Sequence, residues 1–436
     1  MTNSDQLSLA GLSVPTATPD TRDHASSTFL DNMKEPVHRW FKYSAGFSAA
    51  WTRQTIADRL TTDRPLHILD PFSGSGTVLI ESQRMGAESL GVEVHPFVAR
   101  VSRAKLLWPT KVATFTDRAE AILDRARRLD RSPEPYTDLI TRCYTPDALD
   151  RLDRLRCAWL ESADGSPESE LAWLALASTL RRTSNVGTAS WQYILPNQTK
   201  KRVVEPFEAF RAQAMTMCAD MLAMQSIQPT PPPAQVLEED SRVCASLPDE
   251  WADLIITSPP YANNFDYADA TRLEMTFFGD VAGWGDLTKL VRKRLITSCT
   301  QQVTGGASRN DALLLSPLLD PIRSEFEAVY AELAEVRLTK GGRKPYHGMI
   351  LRYFVDMAEV WHALRRAARP GAEVCFVIGD SAPYGVYVPV DEWLGQLACA
   401  AGFTDYRFEQ TRERNTKWKN RKHTVPLKEG RLWIEG

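Results

Sequence analysis

Leu66-His67-Ile68-Leu69-Asp70-Pro71-Phe72-Ser73-Gly74-Ser75-Gly76-Thr77 is the stretch that decides the fold. Its first four residues read as a short apolar strand. Asp70, Phe72, Ser73, Gly74 and Gly76 make a turn, and a stretch of helical character runs from Val78 to Met85. Strand, glycine loop and helix in that order form a nucleotide-binding opening, because glycine lets the backbone turn tightly and approach a ligand closely. No Gly-Lys-Ser/Thr follows, so this is not a P-loop, and the full G-x-G-x-x-G of dinucleotide sites is absent. An acid ahead of the glycines is a poor neighbour for a pyrophosphate and a good one for an ammonium group.

The neighbouring stretches extend this opening. Ser89 to Val94 reads as the next strand, with Glu93 and Val94 at its end, where an acid can accept both hydroxyls of a ribose. Pro96 to Leu107 reads as the following helix, which completes a β-α-β-α unit of a parallel sheet. Ala234 to Leu237 leads to Asp240 and Ser241, a second acidic strand end that can accept an adenine amino group. Trp251 to Ile256 is a buried strand running into Thr257-Ser258-Pro259-Pro260-Tyr261. Each proline there fixes its own φ and removes a backbone donor, and the residue before each is pushed to extended geometry. Carbonyl oxygens are then presented beside an aromatic face, as a planar base with an exocyclic amine requires. The plainer reading is a proline turn closing a strand. Asn264 and Tyr267 continue the loop with groups suited to a base pocket. The whole pattern predicts an α/β protein with a Rossmann-like sheet, and the acids point to S-adenosyl-L-methionine as ligand in place of a dinucleotide.

The rest divides by composition. Residues 1–26 are rich in Ser, Thr, Asp and Pro and read as a flexible arm. Residues 27–107 are the first part of the α/β domain. A helix is expected from an N-cap at Ser48 to about Leu60, and the aromatic segment around it either packs on the domain edge or covers a cofactor. Residues 108–233 carry long Arg- and Asp-rich helical stretches and no clear strand pairs, and end in the stiff linker Pro229-Thr230-Pro231-Pro232-Pro233. They read as a helical insertion with a possible role in target recognition. Residues 234–280 return to the sheet. Residues 281–346 form a second helical insertion, in which Arg292, Lys293 and Arg294 fit phosphate contacts or a solvated surface. Residues 347–436 close the domain: a long helix from Met349 to Ala368 ended by Pro370-Gly371, a buried strand, a helix from Val390 to Ala401 capped by Gly402, and a final strand pair. The loop splitting that pair holds Arg414, Lys417, Trp418 and Lys419, cations interleaved with an aromatic, as nucleic-acid contacts are.

Bulk properties bound the partners. With 436 residues, 43% hydrophobic and 25% charged, the chain can bury a large core and carry insertions. A net charge of -3 means that any nucleic-acid contact comes from a local basic face. Seven cysteines without a C-x-x-C pair read as reduced thiols, with no disulfide framework and no zinc site. No apolar run is long enough to span a bilayer and no signal-peptide pattern is present, so a cytoplasmic protein with no membrane or metal partner is expected.

Asp70-Pro71-Phe72-Ser73-Gly74-Ser75-Gly76-Thr77 and Thr257-Ser258-Pro259-Pro260-Tyr261 together, with Glu93 and Asp240 on strand ends between them, resemble the amino-methyltransferases of DNA. These modify cytosine N4 or adenine N6 with S-adenosylmethionine. The resemblance covers about 29–107, 233–280 and 347–436, in the gamma-like motif order. It implies a class I methyltransferase sheet with helical insertions, acting on duplex DNA with the target base flipped out. It also implies that the glycine loop (Asp70, Phe72, Ser73, Gly74, Gly76, Thr77) binds the methionine part of the donor, Glu93 and Val94 the ribose, and Asp240 and Ser241 the adenine. The segment Lys42 to Ser48, with Phe47, resembles the family's first motif, which closes over the methionine part. Ser258, Pro259, Pro260 and Tyr261 take the catalytic positions. Serine at the first of them points to cytosine N4, since adenine enzymes usually carry asparagine or aspartate there. Carbon-5 chemistry needs a cysteine after a proline, and this chain has no such dipeptide. The long insertion between the second and third strands, and the lack of a separate C-terminal recognition domain, depart from the family pattern. The alternatives are adenine N6, an RNA amino-methyltransferase, and a catalytically idle nucleic-acid binder. RNA relatives usually carry an RNA-binding domain ahead of the catalytic one, for which the arm before Phe29 is too short. Restriction–modification is a reasonable setting.

Overall fold

Strand β6, Ala252–Thr257, is the middle of the molecule. Leu254 and Ile256 point to one face of the sheet and join one hydrophobic core, while Ile255 points to the other face and joins a second. The two-residue period of a strand buried on both sides produces this split. The computed structural model describes residues 29–43, 46–62, 64–130, 135–189, 193–414 and 425–436. The main sheet contains β1 (His67–Asp70), β2 (Glu88–Val92), β5 (Ala234–Leu237), β6, β7 (Ala368–Gly379), β8 (Asp405–Arg414) and β9 (Leu427–Glu435) in the order β5-β2-β1-β6-β7-β9-β8. Its pairings are parallel except that β9 runs against both its neighbours. This is the Rossmann-like sheet of class I methyltransferases. The chain leaves β1 outward to β2 and β5, then returns to β6 on the other side. That reversal opens a crevice at the carboxyl ends of β1 and β6, where open α/β sheets bind ligands.

Helices cover both faces. Ser48 caps α1 (Ala49–Ala57) by accepting the Trp51 N–H, as its sequence position predicts. Helices α2 (Thr77–Met85) and α3 (Pro96–Lys105) lie on the first core's side. The insertion supplies α4 (Val112–Arg128), α5 (Asp138–Cys143), α6 (Pro146–Ser162), α7 (Pro167–Thr183) and α8 (Pro206–Ile227). These helices share the first core: Trp173 of α7 meets Phe97 of α3 edge-on at 5.4 Å. Between α7 and α8 lies a two-stranded antiparallel sheet of β3 (Val186–Thr188) and β4 (Ile194–Thr199). It corrects the expectation of an insertion without strand pairs. The strands are short, their register shifts between Val186 and Gly187, and Pro196 interrupts β4, so no alternation is legible.

After α9 (Arg272–Phe278), the second insertion holds α10 (Trp284–Leu287), α11 (Gly306–Leu314) and α12 (Arg323–Val336). Helices α13 (Tyr346–Ala367) and α14 (Val390–Ala400) close the second core, where Trp361 stacks on Phe376 at 4.3 Å. Pro370-Gly371 falls inside β7, not between a helix and a later strand. The β6–β7 register slips between Ala252 and Leu254, and this irregularity takes up the proline and glycine. Among the described residues no helix is long and apolar enough to cross a membrane, and no group of three or more His, Cys, Asp or Glu is placed to hold a metal ion.

Candidate active site

The glycine loop turns at the end of β1 because Gly74 and Gly76 take φ of 50° and 86°. Gly76 caps α2, and a Cβ there would lie 2.5 Å from the Ser102 hydroxyl. Glu93 fastens this loop to β2: its carboxylate accepts the Gly74 N–H at 3.0 Å and the His95 N–H at 2.8 Å. Burial pushes the Glu93 carboxyl up to about 7, with the Glu238 charge adding to the shift. Asp70 is 1% exposed. It accepts the Thr257 hydroxyl at 2.6 Å and the Phe72 N–H at 3.1 Å, and burial raises it to about 7 as well. Asp70 therefore ties β1 to β6 and does not line the cleft.

The cleft above the loop is lined by Tyr43, Phe72, Gly74, Glu93, Val94, His95, Asp240, Ser241, Ser258, Pro260, Tyr267, Arg294, Leu295 and Ile296, among others. Ser73 and Thr77 are buried beneath it. Burial lowers His95 to about 3, and its Nε2 pairs with the Thr271 hydroxyl at 2.8 Å, so the ring is neutral. The acids Glu93 and Asp240 and the guanidinium of Arg294 thus line one cleft together with apolar residues. A ligand with a positively charged sulfonium, a ribose diol and a flat base fits this donor set. Asp240 accepts from Arg242 at 2.9 Å and still lines the cleft.

Tyr43, which was not singled out in the sequence, lines the cleft beside the glycine loop, where Phe47 was expected. Its ring lies 3.5 Å from the position of a Cβ on Gly74. Phe47 instead packs edge-on against Trp51 at 5.9 Å. The segment carrying Tyr43 is anchored by the insertion. One carboxylate, Asp220 of α8, accepts from Val37 N at 3.1 Å, Arg39 Nε at 3.0 Å and Trp40 Nε1 at 2.9 Å. Gln213 of α8 donates to the Trp40 carbonyl at 3.1 Å, and Ser178 of α7 donates to the same oxygen. Lys105 of α3, itself buried, donates to the His38 and Phe41 carbonyls at 3.0 and 3.4 Å.

Thr257 to Tyr261 leaves β6 beside the cleft. Ser258 donates its hydroxyl to the Val377 carbonyl at 3.1 Å, and Pro259 is buried. The phenol of Tyr261 hydrogen-bonds with Ser258, and the Arg414 guanidinium lies 5.5 Å above its ring. Tyr261 N–H donates to the Tyr267 hydroxyl at 3.2 Å. Beyond the loop is a second cavity of about 610 Å³, lined by Tyr193, Ala262, Asn263, Asn264, Phe265, Asp380, Tyr384 and Arg414, among others. Asn264 adopts φ 64° and accepts from Thr300 N at 2.9 Å.

The basic residues proposed for nucleic acid separate in space. Arg292 is 4% exposed and grips Asp266 at 2.7 Å, so it is a buried structural cation and not a phosphate contact. Lys293 is exposed. Arg294 lines the donor cleft. Lys417, Trp418 and Lys419 lie outside the described residues, as does the arm 1–26.

The raised Glu93 carboxyl gives a pH dependence. At pH 6 a carboxyl titrating near 7 is mostly protonated and accepts poorly from a diol; at pH 8 it is ionised. Affinity for S-adenosylmethionine is expected to rise about tenfold from pH 6 to pH 8. Calorimetric titration of wild type and Glu93→Gln checks this. Asp70 titrates in the same range, so an equally steep profile in the variant would assign the effect elsewhere.

No family model matches the chain. It is similar along most of its length to three Type II methyltransferases. M.BsoBI from Geobacillus stearothermophilus is 24% identical over 442 residues, covering 89% of this chain and 82% of that protein. M.AvaI from Anabaena variabilis is 24% identical over 408 residues, with 86% and 81% covered. M.MvaI from Kocuria varians is 21% identical over 389 residues, with 84% and 82% covered. Among solved structures, the rRNA methyltransferase aviRa from Streptomyces viridochromogenes aligns over 92% of this chain and 84% of its own at 11% identity, with a TM-score of 0.29. The sheet order, the donor cleft and the likeness to Type II methyltransferases together make this chain a methyltransferase of Rossmann-like fold whose methyl donor is S-adenosylmethionine.

Proposed function

We propose that the chain methylates the exocyclic amine of a base flipped out of duplex DNA, with cytosine N4 ahead of adenine N6. The observation that carries this reading is the position of Thr257 to Tyr261 between two cavities. Ser258 and Pro260 line the donor cleft, and Ala262 to Phe265 line the second cavity. The loop thus joins residues that line the donor cleft to residues that line the second cavity.

S-adenosylmethionine, when bound, supplies a methyl group on a positively charged sulfur. Gly74 and Gly76 hold its methionine part, Glu93 and Val94 its ribose, and Asp240 and Ser241 its adenine. The acceptor amine is a weak nucleophile because its lone pair is delocalised into the ring. Ser258 gives its only proton to the Val377 carbonyl, and with the Tyr261 phenol also on its oxygen one lone pair is left to accept an amine N–H. The Pro259 carbonyl is the second acceptor. Two acceptors so placed draw the nitrogen toward tetrahedral geometry and aim its lone pair. Tyr261 is the ring that would stack on the flipped base; it lies under the Arg414 guanidinium, which itself lines the second cavity. The nitrogen–carbon bond would form as the sulfur–carbon bond breaks, and the surplus amine proton would pass to water or a nearby carbonyl, so the residues act by positioning and no strong base is required.

Serine at the first position of the loop supports cytosine. The likeness to Type II methyltransferases supports DNA as substrate and a restriction–modification setting in the cytoplasm. Incubation with methyl-labelled S-adenosylmethionine and either duplex DNA or total RNA tests the substrate class. Label is expected in DNA; label in RNA alone would overturn the assignment.

A further inference from the structure

Between Glu170 and Glu205 the sequence has no acidic residue and five cations: Arg181, Arg182, Lys200, Lys201 and Arg202. In a chain of net charge -3 this is a local basic face, the footprint of a polyanion partner. Arg181 is turned inward onto Glu274 at 2.9 Å and fixes the segment to α9. Arg182, Lys201 and Arg202 are exposed. The stretch contains the β3–β4 pair, and its placement is the second observation. Tyr193, directly before β4, lines the target-side cavity. Its hydroxyl accepts the Asp266 N–H at 2.7 Å, and its ring lies 5.5 Å from that of Phe265. The pair is therefore docked on the loop that continues from Tyr261. The third observation is the chemistry of the far end of β4. Asn197, Gln198 and Thr199 are exposed, and Arg142 holds the Asn197 amide at 2.8 Å.

We propose that the β3–β4 pair is the element that lies against duplex DNA beside the flipped base, with Lys201 and Arg202 on phosphates and Gln198 at base edges. This rests on the reading of the chain as a DNA methyltransferase. A two-stranded ribbon fits the major groove, which is about 12 Å wide, and a glutamine amide can pair with adenine N6 and N7 there. At about 3.3 Å per residue, Asn197 to Thr199 stand roughly 13–20 Å along the strand from Tyr193. That reach spans about four to six base pairs at about 3.4 Å each.

The test compares the full-length wild type with the double variant Lys201→Ala/Arg202→Ala and with Gln198→Ala, on a pool of random-sequence duplexes. The double variant is expected to bind duplex DNA about tenfold more weakly at moderate salt. Its log–log salt slope is expected to be shallower by about 2, because each phosphate that is no longer neutralised keeps about one counterion. Gln198→Ala is expected to keep its affinity within about twofold and to lose about tenfold in discrimination at one position of the methylated site. Melting temperature and S-adenosylmethionine affinity are expected to stay at wild-type values in both. Unchanged salt slope and site preference, with wild type active on DNA, would overturn this proposal alone. Weakened binding to total RNA with unaltered binding to DNA would overturn it in favour of an RNA surface. A wild type that labels no DNA would overturn the reading on which it rests.

Discussion

Ser258→Ala is expected to lower turnover on DNA about 10²–10³-fold while leaving S-adenosylmethionine affinity within about twofold of wild type. The variant keeps both prolines and therefore the shape of the loop. It removes one oxygen whose proton is committed to the Val377 carbonyl, from a residue that lines the donor cleft. An acceptor that acts on the amine as it becomes tetrahedral contributes to the transition state and hardly to donor binding, so kcat falls and the donor KM does not. Losing the Val377 bond costs about 1 kcal/mol of stability, too little to unfold a domain of this size. Single-turnover rates with saturating donor, alongside calorimetric donor binding, check the result. Equal losses in both would return Ser258 to a purely structural role.

Asp220→Ala is expected to lower stability by about 3 kcal/mol and to raise the donor KM about tenfold, with the KM for DNA little changed. The carboxylate is almost fully buried, and its loss strands the Val37 N–H and the Trp40 indole as well as a guanidinium. Removing one partner of a buried pair costs about 3–5 kcal/mol; the lower figure applies because the Arg39 side chain is 37% exposed and can hydrate. Val37 holds φ at 65°, strained for a β-branched residue. Without Asp220 that turn relaxes, and Tyr43, six residues on, leaves Gly74. Asp220→Asn keeps an acceptor for Val37 or Trp40 and is expected to fall between. Denaturant melts and initial-rate kinetics on the three proteins separate the two effects. A donor KM that stays at the wild-type value despite the lower stability would remove the link between the insertion and the donor cleft.

The sequence makes the local devices legible and hides the long-range ones. The strand–glycine–helix opening, the acids at the ends of β2 and β5, and the proline loop after β6 are each short, and backbone chemistry dictates each. Asp220 looks like any other charge on an insertion helix, because its partners lie about 180 residues away. Arg292, Lys293 and Arg294 are three adjacent cations in sequence, yet one is buried on Asp266, one is exposed and one lines the donor cleft. Arg292 ends a short helix and the other two lie in the turn that follows it, and that change of path sorts them. Phe47 and Tyr43 are both aromatics in the covering segment, and the path of the chain after Trp40 decides which meets Gly74. The β3–β4 pair escapes because Pro196 and a register shift erase its period, and Pro370-Gly371 misleads because an irregular β6–β7 pairing absorbs it.

The most direct test of the central claim is the identity of the methylated nucleoside. Purified protein is incubated with duplex DNA and labelled S-adenosylmethionine, the DNA is digested to nucleosides, and the product is resolved by mass spectrometry. The account predicts N4-methyldeoxycytidine. N6-methyldeoxyadenosine would keep the fold, the donor cleft and the amine chemistry but contradict the use made of Ser258, and DNA without any methylated nucleoside would contradict the claim itself.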